Sequence, residues 1–316
     1  MKVITVAKHH YVPRFYLNNF SAEPGQIYVY RRGAEPFISS IRKVAAEEEF
    51  YSFRNPDSGT NDDAIEKMFS FIESKASTII SKILSAPALD LDDEEREVLA
   101  LFISFLFTRG RWYLEWQKNL FAAFDDMQLK INAQNEDQFL LLAREALGDI
   151  SKDEALELRN DILSNKFTVK YEDSPYFLGS SLQHALELFP YVVSKQYHLL
   201  KNDSSRVLIT SDCPLVIIKP PGYPEELGIG IANGFLALPI SPSRCLLLHA
   251  YSRARITERL TRGHVDFLNS HQMHYAYKFI FANLYSKDLQ QSFNVGEDGQ
   301  SIAVKISAPF LVNNTT

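Results

Sequence analysis

Between Asp62 and Phe189 the apolar residues recur at intervals of three and four, whereas on both sides of that stretch they alternate. This change of period constrains the fold more than any other feature, because a helical pattern and a strand pattern bury different faces. Ile65, Met68, Phe69, Ile72, Ala76, Ile79, Ile80 and Ile83 spell one helix, which Pro87 stops. Leu91-Asp92-Asp93-Glu94-Glu95-Arg96 opens a second, its acids gathered where the helix dipole favours them. That helix is apolar through Phe107 and is expected to run past Thr108-Arg109-Gly110-Arg111 toward Met127, bending at Gly110. Asn135–Leu147 and Ser151–Leu163 read as two further amphipathic helices, the latter with the Ser-x-x-Glu spacing of a capping box. Pro175–Phe189 reads as another, ended by Pro190.

Strands are expected on either side. Gln26–Arg31 alternates in β-formers after the Pro24-Gly25 turn, and Glu35–Lys43 gives a second extended piece. Beyond Tyr191 the candidates are Gln196–Leu200, Arg206–Thr210, Leu215–Lys219, Phe235–Ile240, Arg244–Ala250 and Ser301–Ile306. A long helix beginning at Thr257 or Asp266 is expected to reach Leu284. The fold class is therefore α+β. A mixed sheet is built from the N-terminal segment and the C-terminal half, and a large helical region lies between them. One composite domain is expected over 1–316: 1–60 with the opening motif and strands, 61–190 helical, and 191–316 strand-rich with one long helix.

A chain of 316 residues with 46% apolar and 23% charged residues has ample core for this. The formal charge of -6 argues against nonspecific gripping of long nucleic acid but leaves room for a local basic groove. Cys213 and Cys245 make neither a disulfide framework nor a zinc spacing, which fits a cytoplasmic protein. No secretory leader is read at the N-terminus. The longest apolar run, Val98–Thr108, is too short to span a bilayer, so no membrane partner is expected.

The densest chemistry lies in Lys8-His9-His10-Tyr11-Val12-Pro13-Arg14-Phe15-Tyr16-Leu17-Asn18-Asn19-Phe20. Pro13 pushes Val12 toward extended geometry, so His9 and His10 sit on a strand and point to opposite faces. A short helix starting at Pro13 follows from the spacing of Phe15, Tyr16 and Phe20. Two readings stand side by side. In one, the motif is an apolar anchor with satisfied polar tips. In the other, a histidine acts as acid or base and Arg14 supplies charge. Arg109, emerging from an apolar helix, needs an anionic partner, which is either an acid of the chain or a substrate phosphate. Asp212, in the Thr210-Ser211-Asp212 run directly after the strand Val207-Leu208-Ile209 and before Pro214, either caps its own loop or is a functional carboxylate.

The run His-His-Tyr-Val-Pro-x-Phe-Tyr-Leu-x-x-Phe resembles the opening of the bacterial family catalogued as domain of unknown function 4238. Val44-Ala45-Ala46 leading to Glu49-Phe50-Tyr51 resembles it too, as do Arg96–Arg109, Thr210-Ser211-Asp212-Cys213-Pro214-Leu215-Val216, Leu238-Pro239-Ile240-Ser241-Pro242 and Asn269. Cys213 stands where asparagine or histidine is common, and no tryptophan precedes Thr210. The resemblance brings no activity with it. It implies site positions only.

Other clusters weigh less. His271 and His274 share a helix face near His264 and Asp266 but lack the ligand set of a zinc motif. Arg253, Arg255, Arg259 and Arg262 form a basic cluster, either solvated or facing a nucleic-acid backbone. The Glu47-Glu48-Glu49 run is a solvated patch from which one carboxylate could face a site. Gly228-x-Gly230-x-x-x-Gly234 is loop spacing and not a dinucleotide fingerprint. No nucleophile elbow, phosphate-binding glycine-lysine loop, His-Glu-x-x-His or kinase set occurs. The expectation is a hydrolase of phosphodiester bonds in nucleic acid or a nucleotide. His10 or His9 would be general acid or base, Arg109 and Arg14 would hold the anion, and Asp212 would orient the histidine or hold a divalent metal ion. Tyr11, Ser211 and Asn269 would contact substrate. The alternative is a non-catalytic binding or regulatory module, for example of antiviral defence, whose opening motif is structural.

Overall fold

The computed structural model describes residues 8–48, 53–54, 61–62, 64–172, 174–219, 230–251 and 256–295. In chain order the first elements are β1 (Lys8–His10), α1 (Arg14–Asn18), β2 (Gln26–Arg31) and β3 (Phe37–Ser40). A 3-10 turn (Ile41–Lys43) follows, then β4 (Ala46–Glu48), β5 (Phe53–Arg54) and β6 (Asn61–Asp62). The helices are α2 (Ala64–Ser85), α3 (Asp93–Thr108), α4 (Arg111–Gln134), α5 (Glu136–Leu147), α6 (Lys152–Leu163) and α7 (Pro175–Val193). The strand-rich part has β7 (Gln196–Asn202), β8 (Thr210–Ser211), β9 (Val216–Ile218), β10 (Phe235–Ser241), β11 (Arg244–His249) and β12 (Arg259–Leu260). It ends with α8 (Arg262–Tyr275), β13 (Phe279–Ala282) and α9 (Lys287–Val295).

The fold is α+β, and its contacts group the chain into two compact units, 1–112 with 178–316, and 113–177. In the first unit, two sheets carry most of the strands. One runs β12-β7-β11-β10-β9, antiparallel except for the β12–β7 edge. The other runs β3-β2-β13-β8, so N-terminal strands do pair with C-terminal ones. Leu236, Leu238, Leu246, Leu248 and Ile280 are fully buried in these sheets. In the second unit, Phe139 and Ala143 of α5 pack with Ala155 and Ile162 of α6 and Ala133 of α4. Ser151 closes its capping box there with Glu154, as its spacing predicts.

Several expectations are corrected. The last long helix ends at Tyr275 and not Leu284: Phe279-Ile280-Phe281-Ala282 is a β-forming run whose edges are both paired, by β2 and β8. Pro190 lies inside α7, which continues to Val193. The expected strand Arg206–Thr210 is reduced to Thr210–Ser211, and the Asn269 side chain bonds the backbone before it. The helix expected to bend at Gly110 breaks there into α3 and α4, with Arg109 as the C-cap. Ser301–Ile306, Glu49–Tyr51, Arg253 and Arg255 lie outside the described residues.

Candidate functional site

The opening motif folds as its residues direct. Pro13, at φ −60° and ψ 139°, caps α1, and Leu17 N–H donates to its carbonyl. Tyr16, Leu17 and Phe20 are fully buried. The Tyr16 hydroxyl meets Thr210 Oγ1 at 2.9 Å and donates to the Pro239 carbonyl, so the motif is fastened to β8 and β10. Ahead of it, β1 pairs antiparallel with β4, setting His9 opposite Glu47 and His10 opposite Ala46. Tyr11, buried, donates its N–H to the Ala45 carbonyl. Ala45 holds φ +49°, a left-handed conformation that a non-glycine residue adopts at a cost of about 1 kcal/mol or more.

The β1–β4 ribbon brings His9 against a carboxylate of α2 and His10 within the field of another. His9 Nε2 lies 3.6 Å from Glu66 Oε2, and the charge of Glu73 acts on His10. Glu66, Phe69 and Glu73 are spaced i, i+3, i+7, one stripe of the helix. Glu73 accepts from Arg109 Nη1 at 2.7 Å, and the Arg109 guanidinium lies 4.8 Å from the Phe69 ring centre. Beside this, Arg111 grips Glu47 through Nε and Nη2. The α3–α4 break thus aims two arginines at acids supplied by α2 and β4.

Two features set the cluster apart from an ordinary ion-pair network. Arg109 is only 2% exposed, yet among the described residues its Nε and Nη2 donors have no acceptor, and neither has the hydroxyl of Thr108 next to it. A buried donor left without a partner costs about 1–3 kcal/mol. His10 Nε2 is likewise buried without a partner. Burial, then the Arg14 guanidinium, hold His10 below its ordinary 6.5, against hydrogen bonding to the Ile41 and Arg42 backbone and the Glu73 charge. Its imidazole is therefore neutral at pH 7 and able to take a proton.

Asp212 has a different role from the one expected. Its carboxylate is wholly buried and accepts the backbone N–H groups of Tyr277 (2.8 Å), Lys278 (2.7 Å) and Phe279 (2.9 Å). Burial pushes its pKa up to about 6, and the three amides pull it back. Both oxygens are spent on the turn between α8 and β13, so Asp212 neither orients a histidine nor offers a free metal ligand. The turn it caps is this distant one, not its own loop. Ser211 and Asn269, expected at substrate, are buried structural partners too. Ser211 Oγ donates to either the Cys213 carbonyl (2.7 Å) or Gln272 Oε1 (2.8 Å). Asn269 accepts from Ile209 N–H and donates to the Val207 carbonyl, because the strand here is too short to satisfy those groups. Arg14 is exposed, and it reaches the cluster through its charge on His10. A β-carbon at Gly110 would stand 3.8 Å from the Asp212 carbonyl, so the backbone that follows Arg109 lies against that of Asp212. The Asp212 carboxylate is committed elsewhere.

A family model described as a protein of unknown function, DUF4238, matches residues 8–285. The chain belongs to this family. No curated protein and no solved structure matches the chain. The matched span of this DUF4238 member holds every residue of the His10–Glu73–Arg109 cluster. Glu66 and Glu73 were missed in the sequence because they stand beside the apolar stripe of α2 and read as its solvated rim. Their seven-residue separation was the available signal.

The remaining clusters do not converge. His264 closes the α8 capping box with Thr261, and His271 packs its ring 4.3 Å from that of Phe267. Among the described residues, no three or more His, Cys, Asp or Glu side chains are grouped to hold a metal ion. Arg259 pairs with Asp203, and Arg262 with Asp266. Cys213 and Cys245 are free, buried thiols. No helix among the described residues is long and apolar enough to cross a membrane.

Proposed function

We propose that this protein hydrolyses phosphodiester bonds, in nucleic acid or a nucleotide, at the His10–Glu73–Arg109 cluster. The observation that carries the reading is the sealed Arg109 guanidinium, which has two donors to spare beside an imidazole whose Nε2 is also unused. A phosphodiester with its attacking hydroxyl or water would complete both, since the phosphate oxygens accept from a guanidinium edge and the nucleophile's O–H donates to the histidine. His10 is general acid or base. Arg109 binds the anion, Glu73 positions Arg109, and Arg14 and Arg111 keep the local potential favourable to anions. His9, paired with Glu66, is the second candidate for proton transfer. A divalent ion, if the reaction uses one, has no ligand in Asp212. A bacterial, cytoplasmic setting belongs to this proposal and fits the two reduced cysteines.

The sealed state of Asp212, Ser211 and Asn269 favours a second reading. In it, the chain is a binding or regulatory module, the opening motif is a clasp, and the cluster holds an anionic partner without turnover. One experiment separates the two. Purified protein is incubated with labelled RNA, DNA and nucleotides, with and without magnesium or manganese, as wild type and as His10→Ala. Turnover that disappears in the folded variant supports hydrolysis. Binding that disappears without any turnover in the wild type supports the module. Identical behaviour of the two proteins rejects the site.

A further inference from the structure

In the strand-rich part of the chain, three basic side chains come together, and among the described residues no carboxylate is bonded to any of them. Lys195 lies just before β7, His198 within it, and His249 ends the neighbouring β11. The register pairs Leu247 with His198 and His249 with Gln196, so the two histidines are diagonal neighbours on one face of the sheet. Their rings stack at 4.9 Å with an 11° tilt, flanked by Phe235 and Tyr251.

The hydrogen bonding of this group is incomplete. Lys195 is 2% exposed, and its ammonium donates to the carbonyls of Ala232 (2.9 Å) and Gly234 (3.1 Å), leaving one of its three protons over. His249 is fully buried, and its Nδ1 accepts from Tyr251 N–H at 3.1 Å. That bond fixes the tautomer: the proton of the neutral ring is on Nε2, which is buried and has no acceptor. His198 Nε2 is buried and unpartnered as well, though its ring is partly exposed and opens the group to solvent. Gly234 is held against Gly230, where an added β-carbon would come within 2.6 Å of a carbonyl, so the loop bonded to Lys195 is tightly placed. Bracing that loop accounts for Lys195. It leaves the Nε2–H of His249 unexplained.

We propose that Lys195, His198 and His249 form an anion site that takes the oxyanion group of a small phosphorylated or carboxylated molecule. The site shares no residue with the His10–Arg109 cluster. An oxyanion entering past His198 would accept from His249 Nε2–H and lie close to the Lys195 ammonium, supplying the negative charge this group lacks. The three side chains act on one another as mutually repelling bases. Burial, then His198 and Lys195, press His249 down to about 4, and burial lowers Lys195 to about 8. Among the described residues, the one acid acting on the group, Glu258, bears on His198.

The test is an NMR titration of the full-length protein, read at the imidazole carbon-bound protons of His198 and His249. Inorganic phosphate and acetate are the probes. A saturable shift of both rings is expected with at least one probe, and which probe acts assigns the phosphate or the carboxylate class. The shift survives in His10→Ala, which separates this site from the other. Lys195→Met weakens the binding about tenfold or more, and His198→Asn does the same should the lysine variant fail to fold. Absence of a saturable shift with either probe overturns the proposal, as does a shift that a folded Lys195→Met or His198→Asn leaves unchanged.

Discussion

Arg109 Nη1 and Glu73 Oε1 lie 2.7 Å apart, joining the C-cap of α3 to the middle of α2 across a side chain that is almost wholly buried. The pair anchors the helix break that also aims Arg111 at Glu47. It fixes the guanidinium in place while leaving two of its donor nitrogens unused.

Removing one partner of this pair is therefore costly. Glu73→Leu is expected to lose about 3–5 kcal/mol of stability, because a buried cation is left without its counter-charge. The double variant Glu73→Leu, Arg109→Met recovers much of that loss. Urea denaturation of the four proteins of this cycle gives the coupling, and additive losses would remove the pair from the account.

The Tyr16 hydroxyl tests whether the second half of the opening motif is clasp or chemistry. Tyr16→Phe leaves the Pro239 carbonyl and Thr210 hydroxyl without their partner in a dry site, at about 1–3 kcal/mol. The melting temperature should fall while any turnover at saturating substrate stays as in wild type. Loss of turnover in a folded Tyr16→Phe protein would move the site into the core.

Asp212 gives a pH signature. Its folded pKa, about 6, lies above its ordinary 3.8, so between about pH 4 and 6 the native state holds more protons than the unfolded chain. Stability from this group is accordingly present at low pH and is lost as pH rises through that window. Asp212→Asn should abolish that slope. It should also destabilise the protein at pH 7 by about 1.5–3 kcal/mol, since a carboxamide cannot accept all three amides. Denaturation midpoints from pH 4 to 7 check both.

His10 shifts the opposite way. Its folded pKa is below the ordinary 6.5, so its contribution to stability is present above pH 6.5 and is lost as pH falls toward the folded value. If it serves as the base, kcat/KM rises with pH through a midpoint below 6.5 and is flat above it. Arg14→Gln relieves one of the two depressing causes and should move that midpoint upward. An unmoved midpoint would detach Arg14 from the site.

How much of this was legible beforehand varied with how local the cause was. The α+β class and the capping box at Ser151 follow from period and caps, both readable within a few residues, whereas Gly110 pointed only to a bend where the helix in fact ends. Partners distant in sequence were not readable. Nothing near Asp212 announces that the amides of 277–279 will consume it, and that sealed turn is also why the last helix stops at Tyr275. The histidines, Arg14 and Arg109 were found because they are conspicuous residue types in apolar surroundings. Glu73 was hidden, because an acid at the edge of an amphipathic helix looks the same whether it faces water or an arginine.

The central claim, that His10 works on a phosphodiester held by Arg109, is tested most directly by the hydrolysis rate of a labelled RNA substrate under single-turnover conditions. Wild type is compared with a folded His10→Gln protein. The account predicts a fall of about 10²-fold or more, with the melting temperature little changed. Equal rates in the two proteins, or no cleavage by the wild type of RNA, DNA or nucleotides, would contradict it.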